Sequence, residues 1–369
     1  MALVLYTYLG YPCWLYLRTR LFPRPVAKKP IFPKVSIIIA ARNETENIKR
    51  KLNNLCELDY PAELIETIVV SDGSTDETNR ILDETSGITA ILLPVHAGKA
   101  EALNYAVRKS TGEIVVFMDA RQRLATDSVK MLVEGFADPT VGCVSGALML
   151  GDGDANSPRG VGSYWKMEKG IRHWESASGS VVGATGALYA VRRNLVPEIP
   201  PDTILDDVFV PMEVVRRGSR VIFEPRAVVW DRLPSTPQRE FLRKVRTIFG
   251  NYQLLQIAPW LLTAKNSLRF EFTSHKLLRL VVPFALLVIL VASAFLPGIV
   301  YRLPLIGAIG IAALGVLSFV RVPLGKASQA VDLAFAFVLL NTAAIVALVY
   351  FSFGKKGLWV CSPSASQVA

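Results

Sequence analysis

The stretch Thr67-Ile68-Val69-Val70-Ser71-Asp72-Gly73-Ser74-Thr75-Asp76 decides the fold. Its apolar residues follow one another without alternation, which is typical of a parallel strand covered on both faces. Asp72 comes directly after this strand, where open α/β sheets bind their ligands. Gly73 predicts a tight turn, and the spacing of Ser74 and Glu77 predicts a capping box for a following helix. The stretch therefore predicts a strand, a turn and a helix. Asp72 is not needed for the turn or the cap, so it is a candidate binding residue.

The same apolar pattern recurs on both sides of this stretch. Further strands are predicted at residues 35–40, 88–94 and 113–118, and the last of them ends at Asp119. Helical patterns lie between the strands, and Asn43 with Glu46 is predicted to cap the first helix. This alternation predicts an α/β fold with a doubly wound parallel sheet. Because the carboxyl ends of parallel strands meet at one edge, we expect Asp72 and Asp119 to converge on a nucleotide pocket.

Composition and charge favour a membrane partner over nucleic acid. The 369 residues are 51% hydrophobic, with a mean hydropathy of +0.35 and a net charge of +10. Much of the positive charge lies beside apolar segments, which indicates attraction to an anionic membrane face, and no nucleic-acid partner is expected. The four cysteines are scattered without a Cys-x-x-Cys pair, so neither a zinc site nor a disulfide framework is predicted.

Apolar runs at both ends predict membrane segments. Residues 1–22 predict an uncleaved N-terminal anchor, because Arg18 and Arg20 follow the apolar run rather than precede it. Runs at 280–297, 303–320 and 333–353 predict C-terminal transmembrane helices. Their flanking basic residues predict a multi-pass protein of the cell membrane with its catalytic domain in the cytosol. Lys355 and Lys356 conflict with the parity of three spans, so one run being re-entrant or interfacial remains an alternative.

Five motifs in order carry a resemblance to a known family. They are Ala-Arg-Asn-Glu at 41–44, Ser-Asp-Gly-Ser-Thr-Asp at 71–76, Gly-Lys-Ala-Glu-Ala-Leu-Asn at 98–104, the strand-end Asp119, and the pair Asp206-Asp207. Together they resemble membrane-bound family-2 glycosyltransferases of the GT-A fold, the group of cellulose, chitin, hyaluronan and poly-N-acetylglucosamine synthases. The resemblance covers roughly residues 34–247.

This resemblance implies a domain layout in five parts. The parts are an N-terminal membrane anchor at 1–22, a GT-A domain at 34–235, amphipathic interface helices at 236–276, transmembrane helices at 277–354 and a tail at 355–369. Within the GT-A domain, the resemblance implies that Asp72 contacts uracil and that the loop from Arg42 to Glu44 walls the nucleotide. It also implies that Lys99 binds the donor, and an ammonium suits a diphosphate or a uracil carbonyl.

The sequence departs from the family at the motif that holds a metal. Asp119-Ala120-Arg121 stands where the family has Asp-x-Asp, whose two carboxylates bind a divalent cation, Mg²⁺ or Mn²⁺, against the diphosphate. Two hypotheses follow. Asp119 with waters could hold Mg²⁺, which uses few protein ligands. Alternatively, Arg121 neutralises the donor diphosphate directly. We expect a weakened metal requirement, with Asp119 as the one metal ligand and both residues at the donor.

The remaining resemblance concerns the acceptor side. Asp207 matches the family's general base, while Asp206 is predicted to cap the helix that follows and to lie near the diphosphate and acceptor. Arg243 and Arg246 are assigned to the same place, with a helix on lipid headgroups as the alternative for Arg243. Thr247 replaces the family's tryptophan, which argues against synthesis of long polymers. The Gly-Ala-Thr-Gly patch at 183–186 resembles an acceptor floor, and a tight turn fits it equally well.

The expected function is transfer of a sugar with inversion. The donor is a nucleotide-diphosphate sugar, with a UDP-sugar favoured, and the acceptor is a glycan or a lipid-linked molecule at the cytosolic membrane face, in polysaccharide or glycolipid synthesis. The alternatives are single-sugar transfer to polyprenyl phosphate and a donor-binding membrane protein without transferase activity. A transporter with a regulatory nucleotide domain is disfavoured, because the apolar runs contain no internal charge. His96, His173 and His275 show no paired-ligand pattern and receive no role.

Overall fold

A mixed eight-stranded sheet lies at the centre of the chain in a computed structural model that describes residues 1–151, 162–232, 237–317 and 328–354. The strands are β1 (Val35–Ala41), β2 (Ile65–Asp72), β3 (Thr89–Leu93), β4 (Ile114–Asp119), β5 (Arg123–Leu124), β6 (Val141–Leu150), β7 (Leu188–Arg192) and β8 (Arg220–Asp231). Their order across the sheet is β3-β2-β1-β4-β7-β6-β8-β5. β1 to β4 pair in parallel, whereas β7 runs antiparallel to both β4 and β6.

Helices cover the sheet and extend from it. Those before β7 are α1 (Ala2–Leu5), α2 (Tyr11–Leu21), α3 (Thr45–Cys56), α4 (Thr78–Asp83), α5 (Lys99–Lys109), α6 (Ser128–Glu134) and α7 (Gly162–Ser178). Those after β7 are α8 (Asp206–Arg216), α9 (Pro237–Ile257), α10 (Arg269–Phe272), α11 (Leu278–Phe295), α12 (Ile299–Leu317) and α13 (Ser328–Ser352). Two π-helical turns, Tyr6–Gly10 and Thr273–Leu277, join α1 to α2 and α10 to α11.

The four predicted strands of the first half are confirmed, and so is their parallel arrangement. β1 lies between β2 and β4, so that Ala40 is the register partner of Val70 on one side and of Asp119 on the other. The carboxyl ends of β2 and β4 therefore lie at one edge of the sheet, separated by the end of β1. This edge carries Asp72 and Asp119, as the pattern predicted.

Two apolar layers explain why the strands do not alternate. Ile38 packs on one face of the sheet with Leu103 of α5, while Ile37 and Ile39 pack on the other face with Leu132 of α6. Successive side chains of a strand point to opposite faces, so a strand covered on both sides is apolar throughout. Burying each such side chain contributes about 1.5–3 kcal/mol to folding. The layers hold rigid the edge at which Asp72 and Asp119 lie.

The capping box predicted at Ser74 and Glu77 is wrong. α4 begins at Thr78, and its N-cap residue Glu77 makes no side-chain cap bond. The carboxylate of Asp76 instead accepts the backbone N–H of Thr78 at 3.0 Å. The turn after β2 is therefore longer than the sequence spacing indicated.

The cap predicted at Asn43 and Glu46 is wrong as well. α3 begins at Thr45, and Asn43 lies before it with a left-handed φ of 53°. The Asn43 side-chain oxygen accepts the backbone N–H of Thr75 at 2.8 Å, on the neighbouring loop. A bond across two loops has replaced the local cap, because the loops after β1 and β2 lie side by side at the sheet edge.

The N-terminal helices pack against α7. Tyr11 and Leu15 of α2 are buried with Ile171 of α7, and the Tyr11 hydroxyl donates to Glu175 at 2.7 Å. Residues 1–22 are thus helical, but they are not among the described helices long and apolar enough to cross a membrane. Their role as an anchor stays a prediction.

Two C-terminal helices are long and apolar enough to cross a membrane. They span Arg269–Phe295 and Ala330–Ser352, while a shorter apolar helix covers Ile299–Gly315. Val245 and Phe249 of α9 pack on Ala343 and Ala347 of α13, which attaches the last of these helices to α9. The end of the second predicted run, residues 318–320, lies outside the described residues, as do Lys355, Lys356 and the rest of the predicted tail.

Candidate active site

The carboxylate of Asp72 holds the loop that leads into α5. One oxygen accepts the backbone N–H of Ala97 at 2.7 Å, and the other accepts that of Gly98 at 3.0 Å. The second oxygen also lies 2.7 Å from Nδ1 of His96, and the Asp72 side chain is only 5% exposed. Asp72 thus lies at the predicted edge and fixes the position of this loop. His96, which received no role from the sequence, is one of its partners.

The turn after Asp72 requires glycine. Gly73 has a left-handed φ of 60°, and a Cβ placed on it would lie 2.4 Å from the backbone nitrogen of His96. A side chain at this position would therefore be strained and would push the two loops apart. The close approach of the loops is what lets the Asp72 carboxylate reach backbone N–H groups on the other side.

Lys99, the first residue of α5, joins two carboxylates from distant parts of the chain. Its ammonium lies 3.1 Å from Asp119 at the end of β4 and 3.3 Å from Asp206 at the start of α8. Burial alone would lower the pKa of Lys99, but Asp119, Asp206 and Asp207 raise it above its usual value. Burial would raise the pKa of Asp119, and Lys99 more than offsets this and holds it low. Lys99 and Asp119 are therefore charged at neutral pH.

Asp206 does not cap its helix, contrary to the prediction. It is the first helical residue of α8, the N-cap position is Leu205, and no side-chain cap bond is made there. The Asp206 carboxylate turns instead toward Lys99 and toward the hydroxyl of Tyr189, which lies 3.5 Å away. The ion pair with Lys99 could not be found from local spacing, since the two residues are far apart in the chain.

Asp207 is positioned by the Gly-Ala-Thr-Gly patch. Its Oδ2 accepts the backbone N–H of Gly186 at 3.0 Å, and its own carbonyl accepts the N–H of Ala184 at 2.7 Å. Burial and then the neighbouring Asp206 raise the pKa of Asp207 to about 6, although Lys99 acts in the opposite direction. A carboxylate with such a pKa can take a proton near neutrality more readily than an ordinary aspartate.

Arg121 and Arg243 meet at a shared carboxylate. The guanidinium of Arg121 lies 2.8 Å from Asp231 at the end of β8, and that of Arg243 on α9 lies 3.6 Å from the same oxygen. Arg243 also pairs with Glu240 at 2.7 Å. Arg246, by contrast, is exposed on α9. The structure thus brings Arg121 and Arg243 together and leaves Arg246 outside this group.

The loop after β1 lies near Asp119, and its role at the nucleotide stays a prediction. Burial raises the pKa of Glu44, which Arg121 lowers and Asp119 raises further, so all three lie within electrostatic reach of one another. Asn47 donates to Glu44 at 2.6 Å. Arg42 is half-buried, and its buried Nε has no hydrogen-bond partner in the described part of the chain.

Lys51 on α3 is a buried group that sequence reasoning missed. It is 1% exposed, and its Nζ has no hydrogen-bond partner among the described residues. Burial lowers its pKa to about 7, against the charge of Asp119, which raises it. A lysine on a helix is ordinarily read as a solvated residue, so no signal in the sequence distinguishes this one.

The residues at the Asp-x-Asp position do not fit a divalent cation. Asp119 is the single carboxylate there, and its charge is paired with Lys99, while Arg121 is paired with Asp231. Within residues 1–151, 162–232, 237–317 and 328–354, no group of three His, Cys, Asp or Glu side chains could hold a metal ion. Basic side chains, Lys99 and Arg121, thus lie at the position where the resemblance implies a metal.

Part of the chain matches a known protein family. Residues 36–199 match the family described as "Glycosyl transferase family 2". The chain contains a family-2 glycosyltransferase domain. Its sheet, which carries Asp72 and Asp119 at one edge, is accordingly a mixed α/β arrangement of the GT-A type.

The relatives of this glycosyltransferase domain include polysaccharide synthases. The poly-beta-1,6-N-acetyl-D-glucosamine synthase of Staphylococcus aureus (strain COL) is 26% identical over 233 residues, which is 60% of this chain and 55% of that protein. The enzyme of the same description from Staphylococcus epidermidis is 25% identical over 238 residues, covering 61% and 56%. The chain thus matches a little over half the length of these curated relatives.

One solved structure resembles the chain along nearly its whole length. It is the mannosyltransferase PcManGT from Pyrobaculum calidifontis in complex with GDP-Man and Mn²⁺, with a TM-score of 0.73 and 26% identity. The likeness covers 96% of this chain and 98% of that one, so it includes the helices outside the sheet. That neighbour binds Mn²⁺ together with its nucleotide sugar, in contrast to the paired Asp119 and Arg121 described above.

Proposed function

We propose that this protein is an inverting glycosyltransferase that moves a sugar from a nucleotide-diphosphate donor to a hydroxyl of a glycan or lipid-linked acceptor. The observation that carries the proposal is the position of Lys99. Its ammonium joins Asp119 on the donor side to Asp206, and Asp206 is the chain neighbour of Asp207. A cation for the diphosphate and a carboxylate base for the acceptor are thus held next to each other.

The donor occupies the sheet edge in this proposal. The loop from Arg42 to Glu44 and the loop anchored by Asp72 would flank the nucleotide, and Lys99 with Arg121 would face the diphosphate. An arginine can bind phosphate oxygens through two parallel N–H donors. Bound diphosphate would compete with Asp231 for Arg121, whose side chain is 48% exposed and so accessible to it.

The base acts on the acceptor hydroxyl. As the hydroxyl oxygen attacks the anomeric carbon, its proton passes to the Asp207 carboxylate, and the bond to the nucleoside diphosphate breaks on the opposite face. The Gly186 N–H holds Asp207 in place for this step. Positioned proton transfer of this kind contributes typically about 10²–10⁴-fold to rate.

The two comparisons point to different donors. The staphylococcal relatives make poly-N-acetylglucosamine, while the solved neighbour holds GDP-Man. We retain the UDP-sugar expectation as one arm of the test and GDP-mannose as the other. Full-length protein in detergent, incubated with a panel of radiolabelled UDP- and GDP-sugars, should release nucleoside diphosphate from one of them. Release from none, with the protein folded, would contradict the proposal.

Membrane association is the second part of the proposal. Two helices of suitable length and composition, a net charge of +10 and the fit to PcManGT along nearly the whole chain support a protein whose catalytic domain lies at the cytosolic membrane face. The domain layout with an anchor at 1–22, interface helices at 236–276 and transmembrane helices at 277–354 belongs to this proposal. Introduced cysteines at loop positions, labelled from one side of sealed vesicles, test it.

Transfer of a single sugar is the second candidate. Thr247 stands where the resemblance places a tryptophan for stacking an acceptor chain, and Arg246 beside it is exposed rather than part of the charged cluster. Analysis of product length by gel separation decides between the candidates. A single added sugar supports this one, and a ladder of products supports polymer synthesis.

A further inference from the structure

The loop that holds Asp207 is itself held from two directions. This loop, residues 179–187, joins α7 to β7, and we call it the base loop. Its Gly186 N–H donates to the Asp207 carboxylate at 3.0 Å. On the side of the sheet, the N–H of Thr185 donates to the hydroxyl of Ser145 on β6, also at 3.0 Å. The other contact that holds the loop comes from a helix.

Glu175 on α7 makes this other contact. Its Oε2 accepts the backbone N–H of Val182, near the start of the base loop, at 3.5 Å. Its Oε1 accepts the hydroxyl of Tyr11 on α2 at 2.7 Å and lies 2.8 Å from Nδ1 of His275. Glu175, Tyr11 and His275 are each at most 3% exposed, so solvent does not compete for these bonds. One buried carboxylate thus joins the base loop to two other segments of the chain.

Both partners of Oε1 belong to segments for which a membrane position is proposed. His275 lies in Arg269–Phe295, one of the two described helices long and apolar enough to cross a membrane. Tyr11 lies in residues 1–22, the predicted N-terminal anchor, and is buried there against Ile171 of α7. The position of the Glu175 carboxylate therefore depends on how both segments pack on α7.

The other charged groups of this acceptor side leave Glu175 to these partners. Glu168, two turns earlier on α7, takes the second ring nitrogen of His275, at 3.2 Å. Arg172 on α7 and Lys276 beside His275 have no carboxylate within ion-pair distance in the described part of the chain. Both oxygens of Glu175 are therefore occupied by the bonds named above.

An ionised carboxylate suits this position because it accepts hydrogen bonds and donates none. The hydroxyl of Tyr11 and the N–H of Val182 are donors, and each would be buried without an acceptor if the carboxylate were lost. Val182 lies four residues before Gly186 in the base loop, so a loop released at Val182 would also loosen the N–H that holds Asp207.

We propose that Glu175 is a positioning residue for Asp207, holding the base loop to the two proposed membrane segments so that the base is in place when these segments are packed on α7. The proposal rests on the function proposed above, because it takes Asp207 as the base. Glu175 acts through the base loop and not on the substrates. A structural role alone would affect donor binding and turnover together, whereas a positioning role affects turnover.

The test compares two buried carboxylates that link the same segments. Glu175→Gln keeps the size of the side chain but places an amide N–H₂ among donors. Glu271→Gln is the matched control, because Glu271 is 6% exposed, lies on the same helix as His275 and pairs with Arg18 of α2. Among the described residues it makes no hydrogen bond to the base loop. Full-length protein in detergent is used for hydrogen–deuterium exchange of residues 179–187, for kcat and for the Kd of UDP and of GDP.

In Glu175→Gln, we expect the base loop to exchange at least about tenfold faster and kcat to fall at least about tenfold, because Asp207 loses its fixed position. The nucleotide Kd should stay within about twofold, since Lys99 and Asp119 keep their pairing. In Glu271→Gln, exchange, kcat and Kd should all stay within about twofold of wild type. Exchange and kcat that match the control, or a nucleotide Kd that weakens as far as kcat falls, overturn the proposal.

A milder pair of variants applies if Glu175→Gln does not fold. Tyr11→Phe removes one donor to Glu175, whereas Tyr6→Phe removes a hydroxyl that lies 2.9 Å from Oγ of Ser274, between the same two segments. The base loop should exchange about threefold faster in the first variant and at the wild-type rate in the second. Equal exchange in the two variants overturns the proposal.

The exchange measurement also separates this proposal from the proposed function. If the base loop responds to Glu175→Gln as expected but wild type releases no nucleoside diphosphate from any sugar donor, the proposed transfer fails while the holding of the loop by Glu175 stands. If wild type transfers sugar and Glu175→Gln leaves both exchange and kcat unchanged, the transfer stands and the positioning role fails.

Discussion

The basic side chains on the two sides of the proposed site differ in whether they form ion pairs with carboxylates. On the donor side, Lys99 is paired with Asp119 and Asp206, and Arg121 with Asp231. On the acceptor side, Arg172 and Lys276 have no carboxylate partner in the described part of the chain. Paired charges hold side chains in place before the substrate arrives, whereas unpaired ones leave binding energy for a ligand. In the proposed function, Lys99 and Arg121 are therefore held in place before the donor binds.

The largest expected effect is at the base. Asp207→Asn should lower kcat by about 10²–10⁴-fold, because the amide cannot take the acceptor proton. Donor affinity should stay within about twofold, since Lys99 and Asp119 are untouched. Release of labelled nucleoside diphosphate gives the rate, and calorimetric titration gives the donor Kd. A variant that retains a substantial fraction of the wild-type rate would remove Asp207 from the mechanism.

The next effect tests the pairing on the donor side. Lys99→Met should lower kcat/KM for the donor by about 10–100-fold, which corresponds to losing hydrogen bonds to charged groups of roughly 1.5–3 kcal/mol. Lys109→Met, at the exposed end of the same helix, is the control and should leave kcat/KM unchanged. Equal activity of the two variants would show that the Lys99 ion pairs serve stability alone.

The pH dependence of kcat tests the effect of Asp206 on the pKa of Asp207. Asp207 must be deprotonated to act, and its pKa is raised to about 6, so kcat should fall about tenfold for each pH unit below 6. Asp206→Asn removes a negative neighbour that raises this pKa. The acid limb should therefore move to lower pH, by on the order of one unit. A limb that stays in place, or moves upward, contradicts the coupling of the two carboxylates.

Removal of divalent metal should have a small effect on the wild type. Because Lys99 and Arg121 supply positive charge at the donor, we expect EDTA to lower activity by less than about tenfold. Arg121→Asp restores an Asp-x-Asp motif and should make the same activity depend on added Mn²⁺. Complete loss of wild-type transfer on chelation, restored by Mg²⁺ or Mn²⁺ and nothing else, would contradict charge balance by basic side chains.

The smallest effect concerns the packing that supports the acceptor side. Tyr11→Phe removes the hydroxyl that donates to Glu175, whose Oε1 still lies 2.8 Å from His275. The expected cost is about 1 kcal/mol, at the low end for a buried hydrogen bond, and it should appear as a Tm lowered by about 2–4 °C. Tyr16→Phe, at a residue that is 43% exposed, is the control and should leave Tm unchanged.

The donor half could be predicted because its signals are local. Each of the first four strands is an unbroken apolar run, and a parallel sheet places the ends of such strands at one edge. Asp72 and Asp119 could therefore be placed together from the sequence. The helix caps could not, since Asn43 and Asp206 bond to partners on other segments and not to their own helices. Short-range spacing carries no information about such partners.

Most side-chain contacts on the proposed acceptor side could not be predicted from the sequence. Arg172 and Lys276 are ordinary basic residues in the sequence, and His275 showed no pairing pattern. The bond between His275 and Glu175 depends on how α7 packs against the helix that follows residue 268, about 100 residues along the chain. Lys51 is a similar case, because its burial follows from the position of α3 on the sheet and not from its neighbours in the chain.

The sequence by itself determined the alternation of strands and helices in the first half and the sheet edge at which Asp72 and Asp119 lie, because both depend on residue types at fixed local spacing. The tertiary structure alone decided which charges are paired. Lys99 pairs with Asp119 and Asp206, and Arg121 pairs with Asp231. Ion pairs are set by distances of a few ångströms between side chains, and only the packed fold fixes those distances.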